Sequence, residues 1–260
     1  RNNLSSAQRY FEQSVHENRE FAPAHVQLGS LFYRQGFRKN ALEQIFLVKR
    51  LNPDPDTEQI NNELAEGIYQ DIILEASDLN NQGAYDDALY ILSQAEQICR
   101  EFRRVRCRAA MDNETAFAVK GKYHILTEKA HKAMQNGKLN DAEQWIDRAY
   151  DYRKKNLTLI PQKEEITGLI RDLYSGYIDE AENYNRSSRF ENAVSSLDQA
   201  QRICKKYPEI KCGRRLQNVY TKAYYGIYES RLQEARNAYS RNQYEQADQL
   251  IQKAVSYRKA

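Results

Sequence analysis

The chain has 260 residues, and 39 Lys and Arg against 36 Asp and Glu leave a net charge of +3, too small by itself to indicate a nucleic-acid or membrane partner. Gly (10) and Pro (5) are scarce, and because these residues punctuate chains, their scarcity argues for long regular elements with few turns. No stretch approaches the ~18 apolar residues that a membrane span needs; the best run, Ile45-Phe46-Leu47-Val48, ends at Lys49 and Arg50.

The chain opens at Arg1 with neither an initiator Met nor a signal-peptide pattern, as a processed or excised piece would. From Ala22 to Pro55 run Leu28, Gly29, Phe32, Gly36, Ala41, Ile45, Val48 and Pro53, a helix–turn–helix pattern. From Gly83 to Ala95 the pattern is Gly-x-Tyr-x-x-Ala-x-x-x-Leu-x-x-Ala, and Gly137 to Ala149 repeats it with Leu and Ile at the variable apolar sites. Apolar residues at i, i+4 and i+7 form one helix face. Two of the three are Ala, which lets a neighbouring helix come close. The Gly before each run marks a helix end, where a left-handed residue is needed. Pro55, Pro161 and Pro208 suit the first turn of the helices that follow. From Pro208 to Arg241 the breakers are Gly213 and Gly226, and Leu216, Val219, Tyr220, Ala223, Ile227 and Ala235 keep an apolar stripe.

The chain also repeats itself at a shift of 105 residues. Tyr69, Glu75, Ala76, Asn80, Ala88, Leu92, Ala95, Ile98, Cys99 and Cys107 meet Tyr174, Glu180, Ala181, Asn185, Ala193, Leu197, Ala200, Ile203, Cys204 and Cys212. Tyr123, Ala130, Ala142, Ile146 and Ala149 meet Tyr228, Ala235, Ala247, Ile251 and Ala254. Residues 69–173 and 174–260 are therefore a duplication.

On these residues the hairpins resemble tetratricopeptide repeats. The copy at 22–55 carries the signature spacing; degenerate copies occupy 69–102, 123–156, 174–207 and 228–260. Residues 4–19 resemble the second helix of a partial copy, with Ala7 and Phe11 in register. The resemblance implies an all-α fold over 1–260, a right-handed α-solenoid of stacked hairpins. The copies start 47, 54, 51 and 54 residues apart, against about 34 in the family. The excess predicts first helices extended to ~25–30 residues, well above the usual mean; the alternative is a separate short helix in each connection. An unfinished helix at Ala260 and no visible polar cap imply continuation in at least one direction.

The four cysteines form two Cys-x7-Cys pairs, Cys99 with Cys107 and Cys204 with Cys212, each straddling a helix–helix corner. They read either as disulfides closing those corners, which would place the chain in a periplasm or cell envelope, or as small buried hydrophobes inherited by duplication, compatible with cytoplasm. Arg100, Arg103, Arg104, Arg106 and Arg108 flank the first pair; Lys205, Lys206, Lys211, Arg214 and Arg215 flank the second, and Arg153, Lys154 and Lys155 mark another corner. They read as cations at helix C-termini, where the dipole is negative, or as a surface for an acidic protein, lipid or nucleic acid. RNA-reading helical repeats place coding side chains at a short regular period, which this chain lacks.

The family resemblance further implies a groove lined by the first helices. Its positions fall on Tyr33 and Arg34, Asn80 and Asn81, then His131, Met134 and Gln135, Asn185 and Arg186, and Arg236 and Tyr239. A clamp for a partner's C-terminal carboxylate is incomplete, because Val26 and Ser30 stand at two of its positions. The chain carries no Gly-rich phosphate loop, Ser elbow or His-Glu-x-x-His. His124 and His131 are two turns apart, too far to share an ion. Glu164 and Glu165 follow Pro161 and suit a helix's first turn.

The expectation is a protein-binding scaffold, neither enzyme nor cofactor carrier, from a larger assembly such as a bacterial envelope or secretion apparatus. The alternatives are nucleic-acid or anionic-lipid binding through the basic corners, and a structural oligomerisation spacer or homo-oligomer.

Overall fold

The computed structural model describes residues 2–107 and 109–258, with side chains for all of these except 2–4 and 258. The described residues form eleven α-helices and no strand. These are α1 (Asn2–Glu17), α2 (Ala22–Arg34), α3 (Arg38–Arg50), α4 (Pro55–Asn81), α5 (Tyr85–Glu101), α6 (Ala109–Gln135), α7 (Leu139–Lys155), α8 (Glu164–Arg186), α9 (Phe190–Lys206), α10 (Arg214–Ser240) and α11 (Tyr244–Arg258). The chain divides into two compact units, Arg1–Lys122 and Tyr123–Ala260, with the division inside α6.

Within the first unit α1 packs on α2, α2 on α3 and α4, α3 on α4, and α4 on α5. Within the second, α7 packs on α8, α8 on α9 and α10, α9 on α10, and α10 on α11. This is succession packing, as an all-α repeat requires. The first unit's core joins Ala41 and Ile45 of α3, Ala65, Ile68, Ile72 and Ala76 of α4, and Ala95 and Ile98 of α5, all fully buried. The small residues admit the neighbouring helix, and each large one adds ~1.5–3 kcal/mol on burial.

The long first helices are continuous: α4, α6 and α10 have 27 residues each. At 23 residues, α8 is shorter. Pro55 opens α4, whose N-cap Asp54 accepts from the backbone N–H of Asp56 and Thr57. Pro161 and Pro208 do not open helices, contrary to the sequence expectation; α8 starts at Glu164 and α10 at Arg214. Near Pro161 the Arg153 guanidinium donates to the carbonyls of Pro161 (2.6 Å) and Gln162 (2.7 Å), taking up acceptors that a helical turn would use. At Pro208 the chain doubles back, bringing the Cα atoms of Cys204 and Cys212 to 5.3 Å. Eight residues of helix would hold them ~12 Å apart.

The five hairpin turns share one geometry. Gly36, Gly83, Gly137, Ser188 and Asn242 all have positive φ, from 56° to 84°. The next residue's N–H reaches back five positions: Phe37 to Phe32, Ala84 to Leu79, Lys138 to Ala133, Arg189 to Tyr184, and Gln243 to Ala238, at 2.9–3.0 Å. This is a Schellman closure. Four of the five left-handed residues are of the expected Gly or Asn type; Ser188 is not, and the repeat supplies the turn regardless.

Gly121 and Gly226, also 105 residues apart, have a different role. A Cβ on Gly121 would collide with the Tyr85 ring, and one on Gly226 with the Phe190 ring. Each glycine seats the first side chain of the preceding hairpin's second helix. Gly226 is thus a packing seat within an unbroken α10.

Candidate binding surfaces

The eleven groove positions separate into those locked within the fold, those facing solvent and one half-buried between them. Asn80 is 2% exposed; its amide donates to the Glu114 carbonyl (3.0 Å) and carboxylate (2.7 Å). Asn185, its partner in the duplication, donates to the Val219 carbonyl at 3.3 Å. Glu114 and Val219 are themselves 105 residues apart, so the carbonyl bond of this tie between first helices is duplicated. Tyr33 lies against Gly67, and its hydroxyl donates to Asp71 at 2.5 Å. Burial, then the Asp71 bond and charge, push that phenol up to about 12.

Arg34, Asn81, His131, Gln135, Arg186, Arg236 and Tyr239 are exposed. Five of them stand in the last turn of α2, α4, α6, α8 or α10, where successive first helices end, and His131 and Arg236 lie one turn earlier in α6 and α10. In the first unit these are Arg34 and Asn81; the others belong to the second. Met134 is half-buried. Arg186 is tethered along its own helix, to Asn183 at 3.1 Å and Glu182 at 3.8 Å.

Both cysteine pairs stand at disulfide distance, with Cα separations of 5.7 Å for Cys99 and Cys107 and 5.3 Å for Cys204 and Cys212. These lie in the usual range for a bridge. Each corner buries a ring and an aliphatic side chain, Phe102 with Val105 in the first and Tyr207 with Ile210 in the second.

The charges at the two corners differ. In the second, Arg202 makes paired 2.6 Å bonds to Glu143, Lys206 reaches Asp147, and Arg215 reaches Asp179 and Glu182. Arg215's bond holds the Glu182 carboxyl below its ordinary range. In the first, Arg100 pairs with Glu96 along α5. Arg103, Arg104 and Arg106 are exposed and make no side-chain ion pair among the described residues, although Arg104 lies in the field of Glu58. They edge a cleft of about 960 Å³ floored by Phe102, Val105 and Met111. Arg108 lies outside the described residues. Lys154 and Lys155 are exposed at the end of α7, while Lys205, Lys211 and Arg214 are exposed beside the second pair.

Sequence reading missed a tyrosine cluster in the second unit. Tyr224 stacks on Tyr220 at 5.7 Å and on Tyr257 at 6.3 Å; Tyr225 meets Tyr228 at 6.3 Å. A cavity of about 400 Å³ is lined by Tyr224, Tyr225, Tyr228 and Tyr257, with Thr221 and Glu229. The available signal was positional: Tyr220, Tyr224 and Tyr225 stand where the first copy has Thr115, Val119 and Lys120.

His25 is buried, its Nε2 donating to the Arg19 carbonyl at 3.0 Å and its Nδ1 2.7 Å from the Gln44 amide oxygen. Among the described residues no group of three His, Cys, Asp or Glu is placed to hold a metal ion, and no helix is long and apolar enough to cross a membrane. Glu164 and Glu165 lie in the first turn of α8, on the favourable side of its dipole.

No family model and no curated protein matches the chain. Among solved structures, the crystal structure of BtubC (BKLC) from P. vanneervenii matches 98% of this chain and 88% of that one, at 15% identity and a TM-score of 0.18. A TM-score of that size carries no argument about this chain.

Proposed function

We propose that the chain is a non-catalytic protein-binding scaffold, a right-handed solenoid of tetratricopeptide-like hairpins belonging to a larger assembly. The observation that carries this reading is the recurrence, at the ends of successive first helices, of exposed polar and aromatic side chains beside neighbours tied into the fold. Arg34 stands next to the tied Tyr33, Asn81 next to the buried Asn80, and Arg186 next to the tied Asn185. A framework that fixes one residue of each pair presents the other in a set position, which lowers the ordering cost of binding.

Capture of partners from the native compartment tests it, with Arg34→Glu and Arg186→Glu as controls. Each variant should lose at least one partner that the parent retains. Equal recovery by parent and both variants would defeat the groove reading.

The cysteine pairs support an extracytoplasmic site such as a periplasm or envelope, because bonded pairs persist in oxidising compartments. Alkylation and mass measurement without reductant should then find no reactive thiols; four alkylated cysteines would return the chain to the cytoplasm. A second reading is favoured by Arg103, Arg104 and Arg106 around their cleft, namely an anionic lipid or nucleic-acid contact. Such binding would fall steeply with added salt.

A further inference from the structure

We propose that the tyrosine-lined cavity of the second unit binds an organic cation, the guanidinium of an arginine side chain carried by a partner segment. This deepens the scaffold reading and rests on it. Tyr257 and Tyr224 line one side, their rings inclined at 28°, and the buried Tyr220 stacks on Tyr224 at 14°. The Tyr220 hydroxyl donates to Asp198 at 2.6 Å, which anchors that end. The other wall is the Tyr225–Tyr228 pair, and Tyr225 is 62% exposed, so its face is open to a ligand.

Aromatic faces are the negative part of the ring quadrupole and attract a cation held over them. Glu229 adds a full negative charge on the same wall, fixed by the Tyr225 hydroxyl. Tyr224 and Tyr225 titrate above their ordinary range, Tyr224 chiefly by burial and Tyr225 by its bond to Glu229, so both stay neutral donors. Arg231, a cation whose field reaches Tyr257, is already tied to Glu191 and Glu234. A planar guanidinium suits the cavity better than an ammonium, because it stacks on rings and meets a carboxylate with two bonds. The volume of about 400 Å³ falls within the range of small-ligand sites. In the first copy Tyr123 and Tyr152 match Tyr228 and Tyr257, but Val119 and Lys120 stand in place of Tyr224 and Tyr225, which removes two rings and puts a cation where Tyr225 stands.

The test titrates the full chain with N-acetylarginine amide and with N-acetylcitrulline amide, its neutral isostere, following the tyrosine ring resonances by NMR. Arginine should bind at about millimolar strength and citrulline about tenfold more weakly, the ratio that ~1.4 kcal/mol of charge preference gives. Glu229→Gln should weaken arginine about five- to tenfold, whereas Tyr10→Ala, at an exposed ring of α1, should leave it unchanged. Absence of arginine binding, equal binding of the two amides, or indifference to Glu229→Gln would each overturn the proposal. The wild-type comparison holds even if a tyrosine variant fails to fold. No partner protein is needed, so failure here is distinct from failure of the groove variants.

Discussion

The two cysteine corners have closely similar backbone hydrogen bonding but are held by opposite chemistry. In the first, Phe102 packs on Phe46 at 5.9 Å, with Lys49 over its ring at 6.0 Å. In the second, Tyr207 occupies the place of Phe102 and gives its hydroxyl to Asp147, which stands where α3 has Phe46 when Ala41 and Ile45 are aligned with Ala142 and Ile146. Tyr150 replaces Lys49 and meets the Tyr207 ring edge-on at 5.1 Å. Both partners of the contact have changed together, apolar on apolar in one copy and donor on acceptor in the other. The corner requires a buried ring; what that ring leans on is free to vary, provided no polar group is left without a partner.

The strongest way to break this comparison is to mix the two chemistries. Phe46→Asp should destabilise the chain by about 3–5 kcal/mol in urea denaturation, because it removes a packed ring and sets a carboxylate against an apolar one. Adding Phe102→Tyr should recover about 1–2 kcal/mol of that loss through the new donor. A double variant no better than the sum of the singles would mean the two positions do not act as a pair.

The second test uses alkali. Burial first, then the bond and charge of Asp147, raise the Tyr207 phenol above its ordinary value of 10.0. The folded state therefore keeps a proton that the unfolded chain loses. The stabilisation is complete below pH 10 and is lost as pH climbs from there toward the folded value, by up to about 1.4 kcal/mol per pH unit. Tyr207→Phe should flatten the fall in stability between pH 10 and 11; an unchanged slope would show that this phenol is not the responsible group. Phe102 gives the first corner no such dependence.

The smallest effect concerns the hairpin turns. Gly83 and Ser188 are equivalent under the 105-residue shift, and both are left-handed, at φ 76° and 56°. A Cβ is strained there, so Ser188→Gly should stabilise by about 0.5–1 kcal/mol and Gly83→Ser should cost a similar amount, read as shifts in urea midpoint. Equal midpoints for Ser188→Gly and the parent would indicate that Ser187 and the turn already relieve the strain.

The helix–turn–helix pattern, its duplication and the length of α4, α6 and α10 were legible because each is a local property. Alanines at fixed spacing mark a helix face, and Gly36, Gly83 and Gly137 mark its end. Contacts between distant positions were not legible. Asn80 and Asn185 look like groove residues in sequence, and only the carbonyls of Glu114 and Val219, 34 residues on in each case, show that they tie helices together. Repetition at equal spacing is what architecture and binding have in common, so it does not separate them. The tyrosine cavity was hidden for the opposite reason. It occurs in one copy and draws Tyr257 from another helix, so no period announces it.

The Tyr207–Asp147 bond spans 60 residues. Each hairpin is closed by its own turn, and within each unit the helices pack on those of the same or the adjoining hairpin. A growing polypeptide would thus meet the partners of any segment soon after that segment leaves the ribosome. Low contact order of this kind makes for rapid folding, and a repeat array can begin at any hairpin and spread to the next. The chain would assemble in the order of its synthesis, with little apolar surface waiting for a distant stretch of sequence.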